Sequence, residues 1–138
     1  MEERDIMIGI DTNVIVRFLV DDDAEQNAEA RRFLLARTVD DPAYLSAVAL
    51  TEAIWVLNRR MAYPMRQVVS MLKDLLASDA LVVEYTEELD ALLSEDGTPA
   101  ADFADYMIAW SGARAGCRAT MTFDRTAARA VPGMELLA

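Results

Sequence analysis

A few acidic residues stand apart from the others in this chain. Asp11 ends the apolar run Ile6-Met7-Ile8-Gly9-Ile10, and a second apolar run, Val14 to Val20, follows it closely. Glu52 is the only ionisable residue between Ala47 and Leu57, among Val48, Leu50, Ile54, Trp55 and Val56. Asp105 is the only one between Phe103 and Ala113, and Asp124 follows Thr120-Met121-Thr122-Phe123. A carboxylate in an apolar setting is costly unless something pairs with it. The remaining acids mostly fall in clusters (Asp21–Asp23, Asp40-Asp41, Glu87-Glu88, Glu95-Asp96) that read as solvated surface. Each isolated acid also has a plainer role. Asp11 could end a turn or cap a helix, Glu52 could lie on a helix surface, Asp105 could favour a helix dipole, and Asp124 could be an N-cap.

If the four converge, they repel. Unit charges 4 Å apart cost ~4 kcal/mol per pair at an effective dielectric of 20, which calls for a cation. The chain has no histidine and one cysteine, Cys117. That excludes Ser-His-Asp and Cys-His catalysis, His-containing zinc sites and a disulfide framework. The ligands are therefore all oxygen, and Mg²⁺ or Mn²⁺ is the natural occupant. Such a site activates water and steadies a phosphoryl transition state, so phosphodiester hydrolysis is one fitting reaction. The formal net charge of −11 disfavours nonspecific nucleic-acid binding through overall charge and suits a basic partner. The basic residues are twelve arginines and Lys73, and arginine forks match phosphate geometry. Local basic patches can thus persist on an acidic body.

The elements that must position these acids follow from the pattern. A central strand is expected over Ile6–Ile10, then a helix over Asn13–Val20. A second helix starts at a capping box formed by Asp23 and Gln26 and runs to about Arg37. After the turn at Asp40-Asp41-Pro42 come a short strand, Ala43-Tyr44-Leu45, and a helix capped by Ser46 from Ala47 to about Arg60. Tyr63-Pro64 breaks it, and Met65–Ser78 is amphipathic. A strand at Leu81–Glu84 precedes a helix capped by Thr86 and running through about Leu93. Pro99 opens a helix through about Ala115, and Gly116 stops it. Arg118–Thr122 is a strand, Asp124 starts a short helix to Ala130, and Met134–Leu137 is a last strand. Strands alternate with helices, so the expected fold is a three-layer α/β domain with a mainly parallel sheet of four to five strands, one domain over 1–138. No apolar run reaches the ~18 residues of a membrane span, and the charged Met1–Asp5 lacks signal-peptide features, so a cytoplasmic protein is expected. Cys117, Trp55 and Trp110 read as core residues, though either indole could stack a base.

Four segments together resemble the PIN-domain nucleases, and within them the small VapC-type ribonuclease toxins of toxin–antitoxin pairs. They are Ile10-Asp11-Thr12-Asn13, Leu45-Ser46-Ala47 leading to Thr51-Glu52, Ala101-Asp102-Phe103-Ala104-Asp105-Tyr106-Met107-Ile108-Ala109, and Thr122-Phe123-Asp124. The resemblance covers almost the whole chain and implies an α/β/α PIN-like fold. It implies a catalytic, Mg²⁺- or Mn²⁺-binding set of Asp11, Glu52, Asp105 and Asp124, with Asp102 as a fifth metal-ligand candidate. Asn13, Ser46 and Thr122 would orient the acids or hold water. It further implies cleavage of structured RNA such as transfer RNA, a cognate antitoxin with a basic C-terminal segment, and a homodimer. Candidates for RNA phosphate contact are Arg17, Arg59, Arg60, Arg114, Arg129 and above all Arg125, next to Asp124. Two other classes fit less well: a PIN nuclease of RNA processing with no antitoxin, and a phosphotransfer domain of the receiver or haloacid-dehalogenase type. The dehalogenase pattern wants an Asp where Asn13 stands, and the receiver wants a late-strand lysine, whereas Lys73 is mid-helix. A binding module with a dead site would not need all four acids.

Overall fold

The computed structural model describes residues 7–95 and 97–138, so the expected strand start at Ile6, the lead Met1–Asp5 and Asp96 lie outside the described residues. The fold is mixed α/β with parallel strands, as expected. The chain divides into two compact units, one ending at Thr86 and one running from Glu87 to Ala138.

The first unit contains β1 (Ile8–Ile10), α1 (Thr12–Leu19), α2 (Ala24–Leu35), β2 (Ala43–Leu45), α3 (Ala47–Trp55), α4 (Met65–Leu76) and β3 (Leu81–Val83). Its strands pair in the order β1-β2-β3. The ladders are parallel, with Ile8 opposite Ala43 and Ala43 opposite Leu81. Ala43 and Leu45 are fully buried, so β2 is the central strand of this sheet. The expected central place of β1 is corrected: β1 is an edge of its sheet, with Ile8 43% exposed. An apolar run favours a strand but does not say how many neighbours it takes. Helix α1 packs against both α2 and α3 and buries Ile15 and Val16. Amphipathic α4 turns Val68, Val69, Leu72 and Leu75 inward.

Helix starts follow local chemistry. Asp11, Asp23 and Ser46 each have extended backbone, and their side chains accept from the amides of Val14, Gln26 and Ala49. Only half of the expected capping box forms, because the Gln26 side-chain oxygen accepts from Arg17 Nε at 2.7 Å instead. The expected regular helix over Ala47–Arg60 changes character at Val56–Arg60, which is a π-helical turn. There the Met61 amide reaches the Val56 carbonyl at 2.9 Å, Ala62 takes φ +63°, and Asn58 Nδ2 donates to the Tyr63 carbonyl. The chain must reverse before Pro64, and the wide turn supplies backbone bonds that a straight α-helix could not.

The second unit contains α5 (Thr86–Leu93, its first residue the last of the preceding unit), α6 (Phe103–Arg114), β4 (Thr120–Thr122), α7 (Arg125–Ala130) and β5 (Met134–Leu136). Strands β4 and β5 pair in parallel across α7, with Thr120 opposite Met134 and Thr122 opposite Leu136. Among the described residues the five strands thus pair as a three-stranded and a two-stranded sheet, not as one sheet of four to five. The core of this unit is Tyr106, Ala109, Ala127, Val131 and Met134, flanked by Leu92 and Trp110.

Two further expectations are corrected here. Helix α6 starts at Phe103, not at Pro99, because its buried face (Phe103, Tyr106, Met107) begins there and Asp102 is extended. Gly116 ends α6 at φ +96°, where a side chain would be strained. Cys117, just past it in the turn, is exposed, not a core residue, because no packing face reaches it. No helix among the described residues is long and apolar enough to cross a membrane.

Candidate active site

In the first unit, Asp11 stands where β1 passes into α1. Its Oδ1 accepts from the Val14 amide at 3.0 Å, which leaves the second oxygen free on an exposed side chain. The cap and a catalytic role are therefore compatible at one residue. The neighbouring Thr12 donates its hydroxyl to the Ala49 carbonyl at 3.2 Å, which ties the start of α1 to α3. Glu52 lies one turn further along α3, on its exposed side. Leu50, Ala53, Ile54 and Leu57 face the core, but Glu52 lies with Val48 and Trp55 on the exposed side. Ser46 caps α3 through the Ala49 amide at 3.1 Å, and Glu84 Oε1 takes the Ala47 amide at 2.8 Å. Thr12 and Glu84 are positioning residues that the sequence did not single out. A polar residue directly beside a strand-ending acid is the signal that could have marked Thr12.

A cleft of about 600 Å³ opens beside Asp11, between the end of β1, α1 and α2. Ile10, Val14, Ala30 and Phe33 form its apolar wall, and Asn13 and Arg17 its polar rim. Arg17 is held in place by Gln26 at 2.7 Å and by Asp22 at 2.9 Å. The Arg37 guanidinium lies 4.4 Å from the centre of the Phe33 ring.

In the second unit, two acids act on a third, Asp105. Asp102 is the N-cap of α6 but its side chain makes no capping bond, and Asp105 follows in the first turn. Asp124 caps α7, its Oδ1 accepting from the amides of Thr126 at 2.9 Å and Ala127 at 3.1 Å. The Thr122 hydroxyl accepts from the Asp124 amide at 3.0 Å and so fixes where that cap sits. Asp105 is partly buried, and its carboxyl is pushed above the ordinary value. Burial is the largest cause, followed by the negative charges of Asp102 and of Asp124. Arg125 is exposed directly after Asp124.

Among the described residues, no three carboxylates stand close enough to form a ready-made metal cage. The donor chemistry is nonetheless that of a hard cation: every candidate ligand is a carboxylate oxygen, and Asp105 carries unrelieved repulsion from two neighbours. Of the two indoles read as core, Trp110 is half-buried against Tyr106, with ring centres 6.0 Å apart. Trp55 is 55% exposed and is corrected to a surface residue.

A known family matches most of this chain: residues 8–131 match the PIN domain. The chain belongs to the PIN family, whose members are generally nucleases that use divalent metals such as Mg²⁺. No curated protein and no solved structure matches it.

Proposed function

We propose that this chain is a metal-dependent endoribonuclease of the VapC type, the toxin of a toxin–antitoxin pair. The observation that carries the reading is Asp105, whose carboxyl is lifted by burial and then by the charges of Asp102 and Asp124, in a chain of a nuclease family. The family match runs through both units, which supports reading them as one PIN domain.

In this reading Asp11, Glu52, Asp105 and Asp124 hold the ion, with Asp102 as a further ligand. Mg²⁺ or Mn²⁺, when bound, supplies an activated water and offsets charge on the scissile phosphate. The capping bonds of Asp11 and Asp124 fix those two carboxylates at helix starts and leave oxygen lone pairs to spare. Ser46 and Thr122 hold the backbone from which Glu52 and Asp124 project, and Asn13 faces the cleft beside Asp11. Arg125 takes a phosphate of the RNA, a structured RNA such as transfer RNA. The cognate antitoxin places apolar side chains in the cleft between α1 and α2. An arginine of its basic C-terminal segment reaches the carboxylates. The toxin works as a homodimer in the cytoplasm.

The test is cleavage of total RNA, and growth, on expression of wild type, Asp11→Asn and Asp105→Asn without a partner. Asparagine preserves the cap at Asp11. Each variant is expected to lose at least about hundredfold in cleavage and to permit growth, and chelator should silence the wild type until Mn²⁺ is added. Full cleavage by either variant removes the proposed site. Cleavage without growth arrest points instead to an RNA-processing nuclease.

A further inference from the structure

We infer that the exposed face of α3 and its π-helical extension is a track for single-stranded RNA, with Trp55 stacking one base and Arg59 and Arg60 holding the adjoining phosphates. The inference rests on the nuclease reading and names how the substrate strand is led to Glu52.

Three features of the first unit carry it. The first is the stripe itself. Val48, Glu52, Trp55 and Arg59 follow one another at spacings of three and four residues, and all four are exposed. They share one side of the helix. Trp55 stands one turn beyond the candidate catalytic Glu52, and it is 55% open to solvent. A tryptophan left exposed on a helix otherwise buried through Leu50, Ala53, Ile54 and Leu57 is not needed by the core. Second, charge is segregated here. From Ala53 to Leu72 the chain carries Arg59, Arg60 and Arg66 and no acid, although its net charge is −11. All three arginines are exposed, and among the described residues none of them joins an ion pair with a carboxylate. Arg17, Arg37 and Arg114, by contrast, each pair with one. Third, the π turn fixes the two arginines at its end. The Met61 and Tyr63 amides bond back into it at 2.9 and 3.0 Å, and Asn58 clamps the reversal that follows. A polyanion with aromatic units fits an indole flanked by unpaired guanidinium groups. Stacking is sequence-tolerant because every base has a π-face, and phosphate contacts position the strand without reading it.

The full chain is tested in chelator, so that binding is read without cleavage, using a fluorescein-labelled oligouridine and its anisotropy. Trp110→Phe leaves Trp55 as the sole indole, and the oligonucleotide should quench its emission. Trp55→Ala should weaken binding by about tenfold or more, while Trp55→Phe, which keeps a ring to stack, should recover most of it. Arg59→Gln with Arg60→Gln should reduce the salt slope of log K by about 1.4, at ~0.7 per single-strand phosphate contact. Unquenched Trp55 emission, or wild-type affinity in Trp55→Ala, overturns the track. So does a result in which Trp55→Ala and Val48→Ser leave RNA affinity intact but turn a dimer into a monomer, which would make this face an interface between copies. Binding that depends on Trp55 in a chain that never cleaves RNA would keep the track and sink the nuclease reading.

Discussion

In the first unit, Asp11 accepts from the Val14 amide with one carboxylate oxygen, and Glu52 stands in the open on α3, which packs against the helix that Asp11 caps. In the second, Asp105 is partly buried and lies under the charges of Asp102 and Asp124. The first arrangement carries its own partner, because a backbone N–H at the helix start meets the Asp11 side chain. In the second, burial and like charge both act against the ionised form. A divalent ion therefore has more strain to relieve at Asp105 than at Asp11.

The largest effect that separates the two regions is stabilisation by metal. An ion at a hundred times its dissociation constant adds about 2.7 kcal/mol to the folded state, read as a rise in Tm on adding Mg²⁺ or Mn²⁺ after chelation. Asp105→Asn should lose most of that rise, and Asp11→Asn should retain a larger share. The reverse order would place the cation's main anchor in the first unit.

Next comes capping. Asp11→Ala and Asp124→Ala should each cost about 1 kcal/mol of stability in denaturant unfolding, whereas Asp11→Asn and Asp124→Asn should stay close to wild type. Asp105→Ala removes no cap and should show no such gap from Asp105→Asn. If alanine and asparagine are equally costly at Asp11, the hydrogen bond to Val14 is not what holds the start of α1.

How legible each region was in the sequence follows the same division between local and distant causes. Ser46, Asp124 and Gly116 act within one turn of their own position, so the helix starts at Ala47 and Arg125 and the stop after Arg114 could be read directly. The strands at Ala43–Leu45 and Leu81–Val83 were legible as apolar runs between turns. What depends on distant partners was not. The place of β1 at a sheet edge, the division of the strands into two sheets and the exposure of Trp55 and Cys117 are set by neighbours far along the chain. Pro99 misled because it permits a helix start without requiring one, and the start came where Phe103 could be buried. At the candidate site the residue types and their order were legible. The special status of Asp105 needed the fold, since only there do Asp102 and Asp124 both act on it.

The smallest effect is also the most specific to that fold. The Asp105 carboxyl is raised, so in this range the folded chain holds its proton more tightly than the unfolded chain does. Metal-free stability must then fall as pH rises from the ordinary carboxyl value through the raised one, and stay lowered above it. Asp105→Asn removes the ionisation. Its stability in chelator, read as a higher Tm, should exceed that of the wild type at neutral pH by no more than about 1 kcal/mol for a group only partly buried. The difference should vanish as the pH falls below about 4. Asp102→Asn or Asp124→Asn should shrink the difference without abolishing it, because burial, the largest of the three causes, remains. A gain in Asp105→Asn that is the same at every pH would mean that packing, not charge, sets the stability of this helix start.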